Sequence, residues 1–136
     1  MAGQRWIFDG TLAHYDKFIA PDVIGEPIPE MVERVKRWLD EGKDVRIFTA
    51  RVWPLGTAKH YMMYEDDQRV KDAKLALRAI QKWCREHLGE VLKVTCIKDY
   101  GMLDLWDDRA VAIEKNKGYE TTRGVATGIP YEEEKK

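Results

Sequence analysis

Arg5-Trp6-Ile7-Phe8-Asp9-Gly10-Thr11-Leu12 is the stretch whose reading decides the fold. A short apolar run climbs to an aspartate and breaks on Gly-Thr before the chain turns apolar again. Residues 5–8 therefore read as a buried central strand ending in a polar loop. In open α/β sheets, ligands bind at the carboxyl ends of the strands, where such a loop sits. Three later stretches answer it: Phe48-Thr49-Ala50-Arg51, Lys98-Asp99, and Leu105-Trp106-Asp107-Asp108-Arg109. Each follows a short apolar run and presents polar side chains with chemical capability.

Working outward, residues 13–28 hold no period and are punctuated by Pro21, Gly25 and Pro27, which predicts a long loop beside the strand end. Pro29 opens a helix, where its missing N–H costs nothing. Val32, Val35, Trp38 and Leu39 line one face of that helix, and Gly42 is placed to cap its end. Val45 to Phe48 reads as the second strand. A strand, a helix and a strand at this spacing make a right-handed βαβ unit with parallel strands. Residues 52–64 read as a second irregular stretch, with turns at Trp53-Pro54 and Gly56-Thr57. A long helix follows from about Glu65 to His87, with Val70, Ala73, Leu77, Ile80 and Cys84 at helical spacing. Val91–Ile97, Leu103–Trp106 and Val111–Ile113 read as three further strands. The expected fold is α/β: a three-layer Rossmann-like domain with a mostly parallel central sheet and no cap domain. It covers residues 1–117, and residues 118–136 form a C-terminal extension ending in a solvated Glu-Lys run.

The 136 residues suffice for one domain with a proper core. A net charge of −1 supplies no global basic field for nucleic acid, and no basic amphipathic helix argues for a membrane surface. A nucleic-acid end stays open as a ligand, although charge does not indicate it. Cys84 and Cys96 lie among apolar neighbours and read as buried free thiols. No signal-peptide core opens the chain and no run approaches the ~20 apolar residues of a membrane span, so the expected location is cytoplasmic.

The four strand-end stretches together resemble the four motifs of the haloacid dehalogenase (HAD) superfamily of phosphohydrolases. That family's first motif is an apolar strand followed by Asp-x-Asp-Gly-Thr-Leu. Asp9-Gly10-Thr11-Leu12 match its last four positions, and the nucleophile position is occupied by Ile7. The resemblance spans roughly residues 5–115. It implies a Mg²⁺-dependent phosphomonoesterase working through an aspartyl-phosphate. Ile7 implies that this chain is inactive or nearly so, since isoleucine offers neither nucleophile nor metal ligand. The alternative is a non-catalytic module that binds a phosphorylated ligand or a protein partner.

The resemblance also assigns roles. Asp9 matches the general acid/base, which also reaches the metal; on its own residues, Asp-Gly is equally a plain turn pair. Thr49 matches the hydroxyl that donates to a phosphate oxygen, or is a strand-end cap. Arg51 suits phosphate, or pairs with an acid. Lys98 matches the lysine that offsets charge on nucleophile and phosphate, or is solvated. Asp107 and Asp108 match the acidic pair that holds Mg²⁺ together with Asp9, with affinity weakened by the lack of a carboxylate at position 7. Two adjacent carboxylates repel unless a cation or hydrogen bonds stabilise them. His14, Tyr15, His60 and Tyr61, on the two irregular stretches, either stack on a ligand or pack as ordinary loop residues. The implied partner is a phosphorylated small molecule or a nucleotide.

Overall fold

The computed structural model describes residues 4–57 and 62–121. Strand β1 (Gln4–Ile7) is central, flanked by β2 (Asp44–Phe48) and β4 (Met102–Trp106), with β3 (Lys93–Thr95) beyond β2. All three pairings are parallel. Ile7, the last residue of β1, is in register with Ile47 on one side and Trp106 on the other. The carboxyl ends of β2, β1 and β4 are thus immediate neighbours, and a mixed α/β architecture follows.

Helix α1 (Pro29–Asp40) and helix α3 (Gln68–Leu88) bring Met31, Val35, Trp38, Ile80, Trp83, Cys84 and Leu88 into one core with Phe8, Leu12, Val45 and Ile47. Val45 and Ile47 alternate with Arg46, as the two-residue strand period requires. Pro29 stands at the start of α1, and Gly42 follows it with φ +79, the left-handed conformation that glycine adopts without a Cβ penalty. Trp38 packs edge-on to Trp106 with centroids 5.1 Å apart, and the Arg34 guanidinium lies 5.1 Å from the Trp106 ring. These contacts dock α1 on β4.

Several elements depart from their expected bounds. The long helix begins at Gln68, because the Asp67 carboxylate caps it by accepting from the Arg69 amide. The third strand keeps only Lys93–Thr95 of the expected 91–97. Val111–Ile113 forms no strand, and Ile113 makes a single antiparallel bridge to Glu120. The stretch after Arg51 is partly regular: a 3-10 turn over Ala50–Val52 leads into the short helix α2 (Trp53–Thr57), in which Pro54 sits in the first turn where its ring is tolerated. Cys84 is buried as expected, whereas Cys96 is partly exposed.

The loop 13–28 is closed at its base by backbone pairing. His14 N–H donates to the Glu26 carbonyl at 2.8 Å and Ile28 N–H to the Leu12 carbonyl at 2.9 Å. Gly25 is required there, since a Cβ would fall 1.8 Å from the His14 carbonyl oxygen. The Trp83 indole N–H then donates to the Gly25 carbonyl at 2.9 Å, fixing the loop base to α3. Among the described residues, no helix is long and apolar enough to cross a membrane.

Candidate functional site

Beyond the ends of β1, β2 and β4 opens a cavity of about 540 Å³. Asp9, Thr49, Arg51, Asp107 and Asp108 all line it, so three of the four strand-end stretches meet in one place. The reason is the strand order: the three stretches leave β1 and its two neighbours, β2 and β4, at lateral steps of about 4.8 Å.

The loop after β1 is held by its backbone. Thr11 and Leu12 N–H both donate to the Phe8 carbonyl, at 2.9 and 2.7 Å, and Gly10 N–H donates to the Ala13 carbonyl at 2.7 Å. Gly10 has φ +79, and a Cβ on it would lie 2.6 Å from an Asp108 carboxylate oxygen. Its bare Cα is what allows Asp108 to close over the turn.

Thr49 is buried and carries the extended backbone one residue past β2. Its N–H donates to the Thr95 carbonyl at 3.0 Å, and its Oγ1 accepts from the Arg51 amide at 3.1 Å. Among the described residues no acceptor takes the hydroxyl proton.

Arg51 is heavily engaged, and only 8% of it is exposed. Nε donates to Asp9 Oδ2 at 3.0 Å, and Nη1 donates to the carbonyls of Ala20 at 3.2 Å and Pro21 at 3.0 Å. The Phe18 ring centroid lies 5.5 Å from its guanidinium carbon. Arg51 thus clamps the loop 13–28 onto the end of β1. Of the two readings of Arg51 in the sequence, phosphate contact or pairing with an acid, the pairing is the arrangement present.

Asp9 Oδ1 and Thr11 Oγ1 are buried and have no hydrogen-bond partner among the described residues. Such atoms carry a desolvation cost that a bound donor or cation would relieve. The donor set for Mg²⁺ is nevertheless incomplete. Ile7 has no donor atom, Asp9 Oδ2 is held by Arg51, and Asp107 Oδ1 accepts from the Arg109 amide at 2.8 Å. Among the described residues, no three acidic, histidine or cysteine side chains converge on one point. As arranged, the residues do not fit the metal site that the resemblance implies.

Lys98 is exposed and is not among the residues lining the cavity. The topology explains its position. β4 runs parallel to β3 but begins at the opposite end of the sheet, so the chain must turn back directly after Thr95. Thr95 Oγ1 accepts from the Ile97 amide at 3.1 Å in that turn, and Asp99 already reaches Arg46, in the middle of β2, at 3.3 Å. Lys98 is carried away from the strand ends with this segment. His14 is also exposed, bound to Asp16 at 3.1 Å, and does not line the cavity, whereas Tyr15 does. His60 and Tyr61 lie outside the described residues.

The cavity further uses Phe18, Trp53, Arg69, Asp72 and Arg109. Arg69 and Asp72 stand in the first turns of α3. A helix that follows a parallel strand starts at the carboxyl edge of the sheet, and this placement is the sequence signal that identifies them. The arginine of the Asp67–Arg69 pair holds the Asp67 carboxyl down at about 2, chiefly through their side-chain hydrogen bond. Comparisons with protein-family models, with curated proteins and with solved structures found no match.

Proposed function

We propose that this chain is a HAD-type phosphohydrolase scaffold that holds a phosphorylated small molecule at its strand ends and turns it over at or near background rate. The observation that carries this reading is the convergence of Asp9, Thr49, Arg51, Asp107 and Asp108 on one cavity at the carboxyl ends of parallel strands. The parallel strand order β3-β2-β1-β4 is the support for the Rossmann-like sheet that belongs to the same reading; the described helices α1 and α3 share one core, so the third layer of that reading rests on the resemblance alone.

In this reading the ligand's phosphoryl group lies against the Thr49 hydroxyl and the Arg51 guanidinium. The hydroxyl donates to one phosphoryl oxygen. Arg51 Nη2 has no hydrogen bond to a described residue and donates to another, while Nε keeps Asp9 in place. Hydrolysis by this scaffold requires a carboxylate nucleophile at position 7, where the chain has Ile7. Lys98, exposed and outside the cavity, does not supply charge there, and this favours binding over turnover.

The test is phosphate release from a panel of phosphomonoesters in the presence of Mg²⁺, comparing the chain with Ile7→Asp. The chain is expected to stay at background and the variant to rise above it. Turnover by the unaltered chain would overturn the assignment of position 7.

A further inference from the structure

We propose that the ligand of this cavity is a nucleoside monophosphate whose base stacks on Phe18 and the neighbouring aromatic rings. This rests on the phosphoryl-binding reading and names its substrate class. The first support is size. A cavity of about 540 Å³ lies within the roughly 300–1,000 Å³ of sites that enclose drug-sized ligands. A phosphate ion held by Thr49 and Arg51 leaves most of it unfilled, so the ligand carries an organic body.

The second support is the chemistry of the wall. Tyr15, Phe18 and Trp53 line the cavity and are 38%, 57% and 37% exposed. Three large rings left this open around one cavity match a planar apolar partner, and every nucleobase has a face to offer them. Phe18 is also held in place beforehand. The Arg51 guanidinium faces its ring, and the same guanidinium fixes the carbonyls of Ala20 and Pro21 two and three residues on. A ring fixed in advance loses little freedom on binding.

The third support is charge, and it separates a mononucleotide from a nucleic-acid chain. The lining carries four carboxylates (Asp9, Asp72, Asp107, Asp108) and three guanidinium groups (Arg51, Arg69, Arg109). One phosphoryl group is accommodated at Arg51. Further backbone phosphates would meet Asp107 and Asp108, which are exposed and line the cavity. Strong nucleic-acid binding needs several phosphates neutralised by lysine or arginine.

The experiment is titration calorimetry of the full chain with adenosine 5′-monophosphate, ribose 5-phosphate and a 5′-phosphorylated oligonucleotide. The monophosphate is expected to bind about ten-fold tighter than ribose 5-phosphate, a difference of about 1.4 kcal/mol. Phe18→Ala is expected to bring the ratio of the two affinities close to one, and Phe18→Trp to preserve it. Equal affinities for the monophosphate and ribose 5-phosphate would overturn the inference while the phosphoryl reading stands. Binding of none of the three would overturn the phosphoryl reading itself. An oligonucleotide that binds tighter than the monophosphate, or a Phe18→Ala variant that weakens both small ligands equally, would overturn the mononucleotide and stacking assignments respectively.

Discussion

Replacing Arg51 by alanine removes the clamp on which the loop and the site both depend. The variant loses a charge-assisted hydrogen bond to Asp9, two hydrogen bonds to the carbonyls of Ala20 and Pro21, and the contact with Phe18. Breaking a fully buried ion pair by removing one partner costs about 3–5 kcal/mol, because the remaining charge is left uncompensated. Here Arg51 is 8% exposed but Asp9 is 23% exposed, so water reaches the carboxylate and the cost falls to about 2–3 kcal/mol. A chain of 136 residues loses roughly 4 °C in Tm for each kcal/mol, so the midpoint should fall by about 8–12 °C. Urea unfolding at neutral pH measures the free energy, and limited proteolysis reads the release of residues 13–28. A double-mutant cycle with Asp9→Asn isolates the pair and should return a coupling of about 1 kcal/mol or more. A loss below about 0.5 kcal/mol with additive single variants, the range of an ordinary surface substitution, would refute the clamp.

Three further outcomes follow from the same geometry. Gly10→Ala forces a Cβ onto a residue with φ +79 and against Asp108, and should cost about 1–2 kcal/mol in urea unfolding from the backbone alone; a neutral result would contradict the turn conformation. The Asp67 carboxyl is held at about 2 in the folded chain against an ordinary 3.8, so its contribution to stability is present above pH ~4 and lost as pH falls toward 2. Tm measured from pH 5 to 2 should therefore converge for the chain and for Asp67→Asn, which keeps a capping oxygen but not the charge; parallel curves would exclude the Asp67–Arg69 pair as the cause. Burial raises both thiols, and Cys84 is fully enclosed, so a thiol reagent should modify Cys96 first and reach Cys84 only on unfolding; equal rates under native conditions would contradict the core packing.

The parts of the fold that were legible in the sequence are those set by local pattern. Apolar runs ending in polar turns locate β1, β2 and β4, and Pro29 and Gly42 bracket α1. Where apolar residues do not pair, pattern misleads. Leu92 is buried in the core without joining a ladder, and Val111 is exposed, so the third strand is shorter than its apolar run and the fifth is absent among the described residues. The site divides in the same way. Asp9, Thr49, Asp107 and Asp108 follow strands adjacent in the sheet and so meet. Lys98 follows a strand just as closely, but the return path to β4 carries it away, and only the topology reveals that. Two partners of Arg51 are backbone carbonyls about 30 residues earlier, which no local pattern encodes.

The most direct test of the central claim is to map a phosphomonoester onto the chain by amide chemical shifts. Ribose 5-phosphate titrated into labelled protein is expected to shift Asp9–Thr11, Thr49–Arg51 and Asp107–Arg109, and to leave Lys98–Gly101 unmoved. Shifts confined to Lys98–Gly101, or no shifts around Thr49 and Arg51 at millimolar ligand, would contradict a phosphoryl site at the strand ends.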